Sequence, residues 1–553
     1  MLKSAIFFVV AMLLAQFTPA LAQTEFVTGK ELLQQGRTQA ALIALQTAVT
    51  KSPKNADPWF WLGEAYLRSG KPDSAEFAAE KILALDKKLA AGYLLSAKAN
   101  LARQNLSVAK ERLRIGLKYN KKNFMMLMLL GQALVAGDSL DKAIVAYTRA
   151  KLLEPKNPAI YEALGDAYLK QPGGTVIAAL HYEQAAELDS LRADLQYKLA
   201  KTYYAQRRYN DAARAYRKVV QHDTTNHAAL FDLAKLYFDA RQFSNAATFL
   251  RTYVRRNPDS AKAWSMYLEA LYFSGQYDKV LEAAPQVLKF APDSTNALKM
   301  LAHAHFERRE YEQAIATYQR LGQKEALPID DLKRLGQAYT VTKRDSLAAL
   351  TLEEAAQMDT SDAEVYGDLG VVYMRRQQFD KAAAAFEKRF TLDSTAVSAY
   401  INYALSNMAL SKWDLARVAL VRALRLKPDY LKGHLYLARC YTQMDSLMQA
   451  KRACETLVQL AGNDDATYKD ELAEAHGIIG FAWLLDKSYP EALAALNASI
   501  KLVDNNAQTR LWRAQTLALS GRIEEAIEEY ETVLKLDPQN QTAKKDLKSL
   551  AQK

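Results

Sequence analysis

Apolar residues along this chain recur at spacings of three and four within short blocks, the signature of helices with one buried face. The blocks come in pairs, and the pairs repeat. One alanine marks the period: Ala41, Ala75, Ala109, Ala143, Ala178, Ala212 and Ala246, then, after Val280 takes one slot, Ala314, Ala348, Ala382, Ala416, Ala450, Ala492 and Ala526. Twelve of the fourteen steps are 34 residues, one is 35 and one is 42. A strict period of this size predicts an array of stacked supersecondary units, each too small to bury its apolar face alone.

Numbering each unit so that this alanine is position 20 exposes the rest of the pattern. Position 8 is small, as in Gly29, Gly63, Ala97, Gly131, Gly165, Ala200 and Gly370, with Leu268 breaking the rule in the eighth unit. Position 24 is bulky (Leu45, Tyr147, Tyr182, Tyr216, Phe386), position 11 is often tyrosine (Tyr66, Tyr203, Tyr237, Tyr339, Tyr373), and position 32 is often proline, or elsewhere Ser or Thr after an Asp. Positions 4, 7, 8 and 11 share a face of a first helix; positions 20, 24 and 27 share a face of a second. The expected close approach is position 8 against position 20. Proline at 32 suits the link before the next helix or its first turn, and Asp with Ser or Thr suits an N-cap.

With Trp59, Leu62, Gly63, Tyr66 and Ala75 in the second unit, and Tyr366, Leu369, Gly370, Tyr373, Ala382 and Phe386 in the eleventh, the chain resembles the tetratricopeptide repeat family. The resemblance covers about fifteen repeats over 23–540, followed by a polar capping helix at 541–553. It implies an all-α fold, a right-handed superhelical solenoid of antiparallel helix pairs, with a concave face built from first helices. It implies no particular activity.

The 553 residues contain 21 Gly and 14 Pro, too few for long linkers. Residues 1–22 differ from the rest. Lys3, an uncharged apolar run from Ala5 to Leu14, and Ala20-Leu21-Ala22 read as a secretory signal peptide with mature Gln23 as the start; an uncleaved anchor is the competing reading, disfavoured by the short run. The expected location is periplasmic or secreted, with no transmembrane segment in the mature chain. Cys440 and Cys454 stand too far apart along their helix pair for a disulfide and read as buried thiols. The net charge of +11 is modest for this length. Arginines near the helix-to-helix turns (Arg207, Arg208, Arg241, Arg308, Arg309, Arg375, Arg376) are either solvated turn residues or an edge meeting an acidic partner; nucleic acid is not an expected partner.

In the resembling family the concave face draws on positions 2, 5, 9, 12 and 13. Here those positions carry an apolar and aromatic stripe, interleaved with lysine in repeats six and seven. The candidate partner-binding residues are Tyr197, Lys201, Tyr204, Phe231, Lys235, Phe238, Tyr272 and Phe306. Plain packing is the competing reading for each. Aromatic anchors with orienting lysines suit a peptide or amphipathic helix, and the same rings could stack on a glycan. The family's clamp for a C-terminal carboxylate is absent: Lys299 and Lys333 occupy position 5, but His303 and Gln337 follow at position 9.

Repeat eight places Leu268, Val280 and Pro285 where a wider helix pair and a kink, near 268–285, would bend the array into two halves. Eight extra residues near 463–472 form a loop or lengthen a helix. No HExxH, GxSxG, phosphate loop or dinucleotide fingerprint is present, so no catalytic residue, cofactor site or metal site is expected. The expected function is a non-catalytic scaffold for protein–protein interaction in the bacterial cell envelope, with handling of polysaccharide or cell-wall glycan as the alternative.

Overall fold

A computed structural model describes residues 23–462 and 466–550; the signal-peptide reading at 1–22, three residues of the 463–472 insertion and the last three of the chain lie outside them. Among the described residues every regular element is a helix. Fifteen helix pairs run from 23–34 and Thr38–Lys51 to Ala507–Leu519 and Ile523–Leu536, and a last helix spans Gln541–Leu550. The chain divides into two compact units between Ala270 and Leu271, within repeat eight.

Within a repeat, the small residue at position 8 meets position 24 more closely than position 20, which corrects the expected pairing. A Cβ added to Gly29 would lie 2.6 Å from Leu45 Cγ, one at Gly165 2.6 Å from Tyr182 Cε1, and one at Gly336 2.6 Å from Leu352 Cγ. The second helix therefore seats its bulky side chain over the glycine, and the alanine at 20 is itself fully buried, as at Ala41, Ala212 and Ala382. Repeat two tests the rule. Its position 24 is Ala79, and the space over Gly63 is filled by Leu95 from the next repeat.

Two side-chain hydrogen bonds recur between repeats. The position-11 tyrosine hydroxyl meets position 25 of the preceding repeat: Gln46 donates to Tyr66 (3.0 Å), Tyr203 donates to Glu183 (2.6 Å), the Arg217 Nε donates to Tyr237 (2.8 Å), Gln319 donates to Tyr339 (3.0 Å) and Tyr373 donates to Glu353 (2.6 Å). Position 4 reaches back to the carbonyl at position 32. Trp59 Nε1 donates to Pro53 O (3.0 Å), Tyr93 Oη to Lys87 O (3.0 Å), Tyr161 Oη to Pro155 O (2.7 Å) and Trp264 Nε1 to Pro258 O (2.8 Å). The part-buried ones, as at Tyr161, Tyr203 and Tyr373, satisfy polar groups that burial would otherwise penalise.

Pro53, Pro155 and Pro258 sit in the links rather than in a first turn. The Asp–Ser/Thr pairs are likewise not N-caps: Asp223 and Asp359 accept from the N–H two residues on (3.0 and 2.8 Å), closing the link as an Asx turn. The N-cap comes later, as where Asn226 accepts from Ala229 N and Asp362 from Glu364 N. The turn inside each pair places one residue at positive φ. Glycine serves at Gly36, Gly70, Gly275 and Gly521; elsewhere Arg207, Arg241 and Arg309 take φ of 60°, 56° and 61°.

The second helix of repeat eight, Tyr277–Phe290, contains Pro285 and is helical throughout. The first helix of repeat fourteen is lengthened to Lys469–Leu485, 17 residues against the usual 13, so the described part of the insertion adds a helical turn. Cys440 and Cys454 are free and buried, and burial pushes the Cys440 thiol up to about 11 and the Cys454 thiol higher still. Among the described residues no helix is long and apolar enough to cross a membrane.

Candidate functional site

In the first unit, Tyr197, Lys201 and Tyr204 lie on the helix Ala193–Ala205, and Phe231, Lys235 and Phe238 on the helix His227–Asp239. The spacings 5, 9 and 12 bring these six to one face of adjacent first helices. The tyrosines tie that face together. Tyr197 Oη donates to Asp232 Oδ2 (2.8 Å), and Tyr204 Oη donates to Asp239 Oδ2 (2.9 Å). Burial, aided by the Asp232 carboxylate, pushes the Tyr197 hydroxyl up to about 12, so it remains a donor at neutral pH.

The four aromatic rings are half-buried while the two lysines are exposed. Phe231 packs on Tyr253 (centroids 5.0 Å apart) and Phe238 on Phe243 (5.5 Å). Lys201 stands 5.6 Å over the Tyr197 ring, and neither Lys201 nor Lys235 forms an ion pair among the described residues. Lys201, Tyr204, Tyr216, Asp232 and Lys235 line a cavity of about 160 Å³. The rings are thus anchored to their neighbours and still offer apolar area, beside two exposed lysines without ion-pair partners among the described residues.

Tyr272 and Phe306 belong to the second unit. Tyr272 Oη lies 2.7 Å from His303 Nδ1, and His303 Nε2 lies 2.9 Å from Glu307. Because Glu307 can only accept, Nε2 carries the imidazole proton and Tyr272 donates to Nδ1. Burial, then the Arg334 charge, holds His303 below its ordinary value of 6.5. Tyr272 is therefore committed to this polar group. Phe306 instead lines a separate cavity of about 310 Å³ with Tyr311, Gln337, Thr340, Val341, Asp368 and Val371.

Of the seven turn arginines, Arg308 and Arg375 join a ladder between repeats, Arg208 pairs with Glu183 and Asp211, and the other four form no ion pair among the described residues. Basic residues near the turns pair with acids at the start of the preceding repeat's second helix: Arg103 with Asp73 (2.9 Å), Arg308 with Asp278 (2.9 Å), Arg344 with Glu312 (2.7 Å), Arg375 with Asp345 (3.2 Å) and Lys412 with Asp380 (2.9 Å). Exposed pairs of this kind stabilise by at most about 1 kcal/mol each.

Two cavities in the last repeats carry none of the eight candidate partner-binding residues. One, about 540 Å³, is lined by Phe481, Leu484, Leu485, Leu519 and Leu550 together with polar residues such as Lys487, Gln515 and Asp546. The other, about 390 Å³, contains Trp413, Arg439, Glu474, Gly477 and Trp512. The available signal was Gly477, at a position 5 that elsewhere carries Phe60, Leu94 or Tyr197. Among the described residues no group of three or more His, Cys, Asp or Glu side chains is placed to hold a metal.

Models described as tetratricopeptide repeat match residues 32–101, 203–270, 363–395 and 479–541, and one described as TPR repeat matches 131–171. No curated protein sequence matches the chain. Among solved structures, the C-terminal part of a TPR repeat-containing protein from Cytophaga hutchinsonii is 22% identical, covering 44% of this chain and 96% of its own, with a TM-score of 0.39. The APC/C hetero-tetramer Cut9-Hcn1 is 15% identical over 97% of this chain and 98% of its own, with a TM-score of 0.31. A thermophilic TPR protein of Thermus thermophilus is 23% identical over 33% of this chain and 99% of its own, with a TM-score of 0.30.

Proposed function

Because the chain is a tetratricopeptide repeat protein, we propose that it is a non-catalytic scaffold of the bacterial cell envelope, which holds a protein partner during complex assembly, secretion or surface organisation. It reaches the periplasm, or the exterior, by way of the leader at 1–22. The partner is gripped on the face of repeats six and seven. The observation that carries this reading is the pair Lys201 and Lys235, exposed and without ion-pair partners among half-buried rings. Adjacent packed helices stand about 8–10 Å apart, so two ammonium groups at that spacing suit carboxylates carried by one extended or helical segment. Tyr197, Tyr204, Phe231 and Phe238 supply the apolar area that such a segment needs for affinity.

A photoreactive phenylalanine analogue in place of Phe231, introduced into the full-length protein in its own cells, tests this. A defined protein adduct is expected, and Lys201→Glu with Lys235→Glu should abolish it while leaving the melting curve in place. Absence of any protein adduct, or an adduct indifferent to both charge reversals, contradicts the reading.

A further inference from the structure

The cavity of about 390 Å³ in the last repeats differs in chemistry from its larger neighbour. The neighbour sets Phe481 and four leucines beside Lys487, Gln515 and Asp546, with no indole in its lining. The smaller one pairs two indoles, Trp413 and Trp512, with Arg439, Glu474, Gln443 and Gln508. Its size falls within the range of small-ligand clefts, about 300–1,000 Å³.

Four features define what it can hold. Gly477 opens the floor: even a Cβ there would come 3.2 Å from Thr509 Oγ1 and 3.7 Å from Trp512 Cζ3, so a larger side chain would fill the space. Trp512 has one face stacked on Phe481 (centroids 4.5 Å apart, planes at 22°). That contact fixes the indole and leaves its other face for the cavity it lines. Arg439 and Glu474 form a two-pronged pair, Nε to Oε1 at 2.7 Å and Nη2 to Oε2 at 2.6 Å, so the wall carries no net charge while still presenting N–H donors and carboxylate lone pairs side by side. The side-chain amides of Gln443 and Gln508 are exposed, and each offers a donor and an acceptor.

A ligand that matches this set is uncharged, has a flat face of C–H groups for the negative face of an indole, and carries at its rim groups that donate and accept together. A pyranose ring is such a molecule: its C–H face stacks, and its vicinal hydroxyls bridge amide, guanidinium and carboxylate edges. A charged ligand would have to break the Arg439–Glu474 pair, and a purely apolar one would leave the polar rim unsatisfied. We propose that this cavity is a binding site for a neutral sugar ring of an oligosaccharide. The proposal rests on residues of the last four repeats and not on the protein-binding face of repeats six and seven.

The test is ¹⁹F NMR of the full-length protein labelled with 5-fluorotryptophan. Its six tryptophans are assigned by Trp→Phe variants whose folding is checked by circular dichroism. Titrations use methyl glucoside, methyl galactoside, N-acetylglucosamine and cellobiose, with galacturonate as the charged control and N-acetyl-leucinamide as the apolar one. At least one neutral sugar is expected to shift the Trp413 and Trp512 resonances saturably and to leave Trp59, Trp61 and Trp264 in place. Glu474→Gln, which frees the Arg439 charge, should weaken the neutral sugar and strengthen galacturonate. Three outcomes overturn the proposal: no saturable shift with any neutral sugar, equal shifts at all six tryptophans, or a response to N-acetyl-leucinamide alone.

Discussion

Gly370 lies directly under the ring of Phe386, so that a Cβ at 370 would sit 2.6 Å from both Cε1 and Cζ. Both residues are buried, and Phe386 is 1% exposed. Gly370→Ala is therefore expected to overpack this contact and to cost about 1–3 kcal/mol, despite the gain in helix propensity. Shrinking the partner should relieve the strain: Gly370→Ala with Phe386→Leu should be more stable than Gly370→Ala alone. Urea unfolding of the single and double variants measures both effects. A neutral Gly370→Ala would mean that the contact is not tight.

Pro285 lies inside the helix Tyr277–Phe290 on an exposed side. Its ring removes one backbone hydrogen bond and crowds the preceding turn, while it buries little that packing would miss. Pro285→Ala should stabilise this helix by up to about 3 kcal/mol, read as slower hydrogen exchange over 277–290. Unchanged or faster exchange there would show that the helix has already adapted to the proline.

His303 gives the second unit a dependence on pH. Burial, followed by the Arg334 charge, lowers its pKa from 6.5, while Glu307 and Asp331 pull it back only in part; Tyr272 and Tyr277 complete its surroundings. The unfolded chain thus takes up the proton first as pH falls. The contribution of neutral His303 is present above about pH 6.5 and is lost as pH falls through its lower folded value. Hydrogen-exchange protection over 295–307 should decline below about pH 6.5, and His303→Gln should flatten that decline. A steeper decline in the variant would contradict the assignment.

Much of the fold is legible in the sequence because a stacked array imposes the same few contacts at every repeat. The small residue at 8 and the alanine at 20 announce two helices that must come close. Which residue presses on which was not legible, since helical spacing alone does not fix the register between two helices: Gly165 meets Tyr182, four residues beyond the alanine. The tyrosines at 11 stood out, but their partners at 25 did not. Gln46, Glu183, Arg217, Gln319 and Glu353 all serve a hydroxyl that can either donate or accept, so no single residue type recurs there. The candidate face was legible in part as a geometric stripe. Six of the eight candidate residues lie on one face, whereas Tyr272 is drawn into the His303 group and Phe306 into a cavity of its own. The cavity at Trp413 and Trp512 escaped notice because a missing side chain at Gly477 helps to open it, and residues from several repeats meet there.

Under the proposed function, the face of repeats six and seven binds a partner while the alanine contacts beneath it hold the array together. Comparing Phe238→Ala with Ala212→Leu tests this most directly, using thermal unfolding and the yield of the Phe231-photocrosslinked adduct. Ala212 is fully buried, whereas Phe238 is half-buried at the surface. Ala212→Leu should lower stability by about 1–3 kcal/mol, and Phe238→Ala should lower it clearly less while the adduct is lost. If Phe238→Ala unfolds the protein as readily as Ala212→Leu, the aromatic stripe is core and the protein binds its partner elsewhere.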